Sequence, residues 1–522
     1  MHAEPAGTGV TRAARLLLAA GVLAFGLAAL GLGQSNNWDL RNYHWYAGWA
    51  WLEGRGHLDL AAAQAQSWFN PVLPALLYLL LSSLKPAIGT FVLGVVQGLN
   101  LLPLHRIARR LLPGHAGLAL LAAFVGATGA TQRGELGATF GDTLVSLPLL
   151  TALALLVTGE PTRRRSAAAG ALLGVAVGLK LTAAPIAAGI ALAACALFLR
   201  RGGAMRHGLA LTGAAALLFL AVDGHWMWQL WRDFGNPLFP QFGTLFGGEF
   251  APPMEFRDTR WLPRSATEWL FYPLVWADEP RRVSELWFLD LRVPLLFLAA
   301  LALPLWLRPA RARLAKPDAL DTTLAACALA YLLWLALFGY YRYLVVLEML
   351  APVLLAAALL SVPRRSGIVV ACSVLVIVGL ATRAPRWGRL DAYADSFVTV
   401  QLPPLANRSG ALVVFGDREP LAFLAPSFPA GTRFVRILGN VVGPPLPEWA
   451  LDRAVRERIA AHRGPLLLLA ARLDDAALGE ALQRHGVAVD RATCEGIAGN
   501  LLTGDLVRPQ LCTLTNARNR AR

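Results

Sequence analysis

The stretch NNWDLRNYHWYAGWAWLEGR, residues 36–55, holds one aspartate, two arginines, a histidine and six aromatic side chains directly after the first long apolar run. Asp39 is of a type that can take a proton. Arg41 and His44 are types that can orient such a carboxylate or bind a sugar. Other ionisable residues stand at the ends of later apolar runs: Lys85 in SSLKP, Glu135 and Asp142 in ELGATFGD, Lys180 in GLKLTAAP and Arg342 in YYRY. An ionisable group there is either part of a site or an anchor that snorkels to the lipid headgroups. For Asp39 and Asp142 the plainer alternative is a place at the start of a helix.

These residues sit in a chain built for a bilayer. Of its 522 residues 56% are hydrophobic and only 16% charged, against roughly 25% charged in soluble domains; its mean hydropathy is +0.50. The net charge of +15 invites a nucleic-acid reading, but the basic residues gather between apolar runs, at Arg106–Arg110, Arg163–Arg165, Arg200–Arg206, Arg308–Lys316 and Arg364–Arg365. Short Lys- and Arg-rich loops stay cytoplasmic, so the charge reads as topology and a nucleic-acid partner is excluded.

That rule sets an expected topology. The first span, about 14–33, follows Arg12 and Arg15, placing the N-terminus inside and residue 36 outside; no convincing cleavage site follows, so it reads as a retained helix. NPVLPALLYLLLSSLKPAIG, 70–89, has too short an apolar core to cross and reads as an interfacial or re-entrant helix within one external loop, 34–86. Further spans are expected at about 87–105, 114–130, 143–158, 166–180, 184–199, 208–224, 292–307, 319–338, 344–362 and 366–382. The fold class is then mainly α: a polytopic bundle of about eleven spans, N-terminus in and C-terminus out. Its membrane domain is 1–382, with external loops 34–86 and 223–291.

Residues 383–522 read as an extracytoplasmic α/β domain. ALVVFGD (411–417) and PLLLLAA (465–471) are buried-strand runs, while 448–462 and 474–486 carry apolar residues at helical spacing. Cys494 and Cys512 fall late in this domain and form a disulfide candidate in an external compartment. No CxxC or HExxH spacing marks a metal site. GDRE at 416–419 follows a strand but lacks a glycine-rich phosphate loop, which argues against a nucleotide.

From Asp39 as N-cap, helical spacing puts Asp39, Asn42, Tyr43 and Tyr46 on one face and Trp45, Trp49 and Leu52 on another. The tryptophan face suits the membrane–water boundary and turns the carboxylate towards protein.

An aspartate in the first external loop, followed by juxtamembrane helices, resembles the GT-C class of membrane glycosyltransferases. ELGATFGDTLVSLPLL (135–150), GLKLTAAP (178–185), FGNPLFP (234–240) and YYRYLVVLEMLAP (340–352) resemble the same class in order and in side of the membrane; no subfamily follows from them. The resemblance implies a polyprenyl-phosphate-linked sugar as donor substrate, inversion at the anomeric carbon, and Asp39 as the base. It implies Arg342, with Lys180 and Lys85, as binders of the phosphate, since an anionic leaving group needs cations rather than an acid. Arg41, His44, Tyr43, Glu135 and Asp142 become sugar- or acceptor-binding candidates. A divalent ion at Glu135 or Asp142 is left open, and no other cofactor is implied. The acceptor, whether glycan, lipid or protein, and the oligomeric state stay open; a bacterial inner membrane is the expected location. Two other classes remain: a transporter or flippase of a lipid-linked sugar, and a non-catalytic membrane scaffold with an external binding domain.

Overall fold

A computed structural model describes residues 12–314, 317–360, 364–503 and 508–516; Lys316 and the side chains of Arg364 and Arg365, counted above among the basic clusters, lie outside the described residues. The chain is mainly helical and divides into two compact units. The first comprises Met1–Leu32, Thr90–Val222 and Asp258–Trp387; the second comprises Gly33–Gly89, Asp223–Arg257 and Gly388–Arg522.

Every expected apolar run is helical: Arg12–Leu32, Pro86–Gly98 continued by Leu101–Leu111, Ala116–Gly126, Asp142–Val157, Arg163–Leu179, Ala184–Arg201, Ala204–Phe234, Arg292–Leu301 followed by Leu303–Ala312, Asp318–Leu337, Val345–Leu359 and Arg364–Ala381. By length and composition six helices can cross a membrane, or seven if the pair Arg292–Leu301 and Leu303–Ala312, bent by 91°, counts as one. The others are short. Ala116–Gly126 has 11 residues, about 16 Å at 1.5 Å per residue, against a hydrocarbon core of about 30 Å. One boundary moves: the run expected at 208–224 continues as helix to Phe234, well into the segment assigned to an external loop.

Within the first unit small residues let helices approach closely. Gly170, Gly174 and Gly178, four apart on Arg163–Leu179, face the backbone and side chains around Leu211, Ala215, Phe219 and Val222; a Cβ on Gly170 would lie 1.9 Å from the carbonyl oxygen of Leu211. This small-xxx-small spacing is how helices gain dispersion contact in lipid, where apolar burial between helices gives little.

The second unit carries a five-stranded sheet in the order Arg433–Arg436, Leu412–Phe415, Leu466–Ala470, Gln510–Asn516, Val487–Gly496. The first three strands are parallel, with Val413 opposite Phe434 and Leu467, and the last two antiparallel. The expected strands and the helices Ala450–Ala461 and Ala476–Arg484 are present; Asp475 caps the latter by accepting from the Ala477 amide at 2.9 Å. Cys494 and Cys512 form a disulfide across the antiparallel pair. The core gathers Leu60 and Trp68, Trp226 and Phe239, and Val414, Val435, Val441 and Leu468 from all three stretches of this unit. Two of its buried arginines are matched. Arg55 donates to both oxygens of Asp59 at 2.8 and 2.7 Å, and Asp59 accepts in turn from Tyr46 and from the Phe434 amide. Arg436, fully buried, donates to the carbonyl of Ala62 at 3.1 and 2.8 Å and to that of Asp417.

Candidate functional site

In the first unit the ELGATFGD loop folds back on itself. The short helix Ala130–Glu135 ends at Glu135, and Asp142 opens the helix Asp142–Val157. Between them Gly137 and Gly141 take φ of 69° and 89°, the left-handed region open to glycine at no steric cost. The turn is fixed by Gln97, whose Oε1 accepts from the Gly137 amide at 2.6 Å and whose Nε2 donates to the Glu135 carbonyl at 3.0 Å. Two carboxylates seven positions apart thereby reach the same cations.

Arg342 and Lys180 meet them. Arg342 Nε lies 3.1 Å from Asp142 Oδ2 and 3.8 Å from Glu135 Oε1. Lys180 Nζ donates to Asp142 Oδ1 at 2.6 Å and to the Phe140 carbonyl at 2.9 Å. The Arg342 guanidinium lies 4.4 Å from the Phe140 ring centre, 5.7 Å from Trp387, 5.4 Å from Tyr340 and 5.9 Å from Tyr343. Neither cation is the snorkelling anchor that its position at a helix end allowed. Their side chains keep 12% and 14% of their surface, against 0% for Glu135 and 4% for Asp142, so an incoming ligand meets the cations first.

Charge then decides what the cluster can hold. Burial, reinforced by the neighbouring Asp142, holds the Glu135 carboxyl well above the usual range, against the pull of Arg342 and Lys180. The upward shift favours the neutral form of Glu135, and in that form one carboxylate faces two cations, so the cluster carries a net positive charge beside its aromatic wall. Such an arrangement has the chemistry to hold an anion such as a phosphate. The donor set does not fit a divalent cation, since both carboxylates already face fixed positive charges; among the described residues no group of three His, Cys, Asp or Glu side chains is close enough to hold a metal ion. The sign of the pH response follows. As pH rises through the elevated Glu135 value the cluster loses its net charge, so binding of a phosphate-bearing amphiphile is expected to weaken. Glu135→Gln, neutral at every pH, is expected to abolish that alkaline loss; titration of both proteins with dodecyl phosphate across pH checks it, and an unchanged alkaline limb in the variant counts against the assignment.

Asp39 lies in the second unit, and its surroundings differ from expectation. The helix starts at Trp38, and Asn37 does the capping, its Oδ1 accepting from the Leu40 amide at 2.8 Å; Asp39 has helical φ and ψ of −62° and −42° and makes no cap. Leu40–His44 is a π-helical turn, continued by the α-helix Trp45–Leu52. One extra residue in a turn advances everything after it by about 100°, so the two expected faces do not survive. Trp45, assigned to lipid, is buried and stacks on Phe397 at 5.9 Å and against Tyr78 at 4.7 Å; Trp38, Trp51 and Leu52 are the exposed apolar residues. Tyr46 is spent on Asp59. Tyr43 is buried, with His44 and Phe69 rings 4.1 and 5.6 Å away, and His44 is buried with it. Asp39 is half-buried, Arg41 buried and Lys85 exposed.

Among the solved structures that resemble this chain, three match it over 90% or more of its length. ArnT from Cupriavidus metallidurans, bound to undecaprenyl phosphate, matches at 12% identity over 97% of this chain and 98% of its own, with a TM-score of 0.47. The mycobacterial arabinofuranosyltransferase AftD matches at 15% over 98% of this chain and 40% of its own, at 0.49. The apo oligosaccharyltransferase of Archaeoglobus fulgidus matches at 11% over 90% and 73%, at 0.42. All three are GT-C glycosyltransferases. At TM-scores below 0.5 none of them carries a function to this chain; its own residues must. No family model and no curated protein matches the sequence.

A second buried group was not legible as functional. Glu348, fully buried, accepts from the Thr131 amide at 3.1 Å, and Asp290 accepts from the Ala130 amide at 2.8 Å. Asp290 is held by Arg292 at 2.6 Å, which also donates to the Val125 carbonyl at 2.9 Å and to Thr382. Together they secure the start of the helix that ends in Glu135. Glu348 lies six residues beyond Arg342 in YRYLVVLE, and an acid within so apolar a run was the signal available.

Proposed function

We propose that this integral membrane protein is a glycosyltransferase of the GT-C type, moving a sugar from a polyprenyl phosphate to an extracytoplasmic acceptor. The observation that carries the reading is the pair Arg342 and Lys180, joined on Asp142 beside the buried Glu135: two cations gathered in one place in a chain made largely of membrane helices. In this reaction an acceptor hydroxyl attacks the anomeric carbon, its proton passes to Asp39, and the bond from that carbon to the phosphate oxygen breaks with inversion. The carrier phosphate leaves with a second negative charge, which Arg342 and Lys180 offset. Lys85, exposed at the start of Pro86–Gly98, is assigned to the carrier headgroup, and His44 and Tyr43 to shaping the acceptor side. The membrane domain is taken as 1–382 and the external domain as 383–522. The Cys494–Cys512 disulfide supports an oxidising compartment for that domain, in keeping with a bacterial inner membrane and a periplasmic face.

The test is release of label from a panel of radiolabelled polyprenyl-phosphate sugars by the purified wild type and by Asp39→Asn. Transfer or slow hydrolysis is expected in the wild type, with a fall of about 100-fold or more in Asp39→Asn while carrier binding is retained. If the wild type binds carriers but leaves every one intact with all acceptor extracts tried, the chain is a transporter or a scaffold.

A further inference from the structure

Arg41 carries donors that no part of the fold uses. The residue keeps 9% of its surface, and its Nε and Nη1 are sealed from solvent with no hydrogen-bond partner among the described residues. Its neighbours are fully engaged. Asn42 donates to the Ala63 carbonyl and to Gln66 Oε1, each at 3.2 Å, and accepts from Gln64 at 3.0 Å. The same unit satisfies its other buried guanidiniums, Arg55 on Asp59 and Arg436 on the carbonyls of Ala62 and Asp417. The carboxylate whose charge reaches Arg41 is Glu419, and that one is held by Arg472 at 2.8 Å.

Guanidinium donors sealed from water without a partner are costly in a folded chain, because nothing replaces their lost hydration. Arg41 also sits inside the π-helical turn Leu40–His44, a conformation that is rare and concentrates at functional positions. The two features are independent, and both fall two residues after Asp39.

We propose that Arg41 is an oxyanion-binding residue, its unfilled donors taken by a phosphate or carboxylate of a substrate. The choice of substrates rests on the transferase reading; the binding itself does not. The oxyanion comes either from the carrier phosphate or from an acidic group on the acceptor, the two sources that would bring a negative charge to the neighbourhood of Asp39.

The experiment uses full-length protein in phosphatidylcholine nanodiscs, in an Arg342→Ala background that silences the other anion seat. Thermal midpoints are read against dodecyl phosphate, a glucuronate-containing disaccharide and an uncharged disaccharide, for Arg41, Arg41→Met and Arg41→Gln. One anionic probe is expected to raise the midpoint of the Arg41 protein, and the uncharged sugar to leave it unmoved. Both variants are expected to need at least about tenfold more of that probe for the same shift, and to melt no lower than the parent without it, since a buried unpaired charge is gone. A response to dodecyl phosphate assigns Arg41 to the carrier; a response to the glucuronate sugar assigns it to an acidic acceptor. No anion response in the Arg41 protein, or the same response in whichever variant folds, overturns the proposal. Sugar release by the protein with Arg342 intact is measured separately, so transfer without an Arg41-dependent response removes this inference and leaves the transferase reading standing.

Discussion

Arg342→Ala is expected to slow sugar release from a polyprenyl-phosphate donor by about 100-fold or more, the usual cost of removing one preorganised donor to a developing oxyanion. Two losses add. The leaving phosphate loses its guanidinium, and Asp142 is left to Lys180 alone, so the cluster falls from net positive to neutral even with Glu135 protonated. Arg342→Lys is expected to recover only part of the rate. An ammonium supplies the charge but not the planar surface that lies 4.4 Å over Phe140 while Nε reaches Asp142. Single-turnover release of labelled sugar at saturating donor, with carrier affinity measured alongside, separates the rate of chemistry from binding. A rate for Arg342→Ala within about threefold of wild type would remove Arg342 from the phosphate seat.

The second large effect lies away from any substrate. Gly129→Ala places a Cβ 1.8 Å from Glu348 Oε1 and 2.3 Å from its Cδ. Glu348 is fully buried and cannot swing into water. The methyl group drives the carboxylate off the amide of Thr131 and strands a buried acid, a change expected to cost about 3–5 kcal/mol. It also moves the helix whose last residue is Glu135, so the surviving folded protein is expected to bind phosphate amphiphiles more weakly. Thermal melting in detergent checks the first part. In a Glu348→Ala background the same substitution has no carboxylate to displace, and its added cost is expected to fall by more than half; equal costs in both backgrounds would show that the clash is relieved elsewhere.

What could be read before the structure follows the range of each interaction. Helices showed plainly, because an apolar run needs no partner to declare itself, and each expected span is helical. Strands 411–417 and 465–471 showed for the same reason. The gathering of Glu135, Asp142, Lys180 and Arg342 was legible only as four ionisable groups at helix ends; that Arg342 and Lys180 converge on Asp142 depends on two left-handed glycines and on Gln97. The capping role given to Asp39 failed because Asn37 caps equally well two residues earlier. The expected faces around it failed because a π turn has no sequence signature and rephases every residue after it. Glu348, Asp290 and Arg292 were passed over, since their backbone partners lie far away in sequence: the Thr131 and Ala130 amides for the two acids and the Val125 carbonyl for Arg292.

Asp59 takes a hydrogen bond from an amide 375 residues later, at Phe434, and its neighbour Leu60 pairs with that same stretch of chain. At about 5–20 residues per second, a ribosome needs roughly 20–75 s to cover that distance. For all that time the Asp59 carboxylate has been made but lacks that amide, while the helices of the first unit are synthesised behind it. Closure of this part of the second unit therefore waits for the strand Arg433–Arg436. A nascent chain halted anywhere short of that strand would hold Arg55 and Asp59 paired with each other but without the amide that completes the carboxylate.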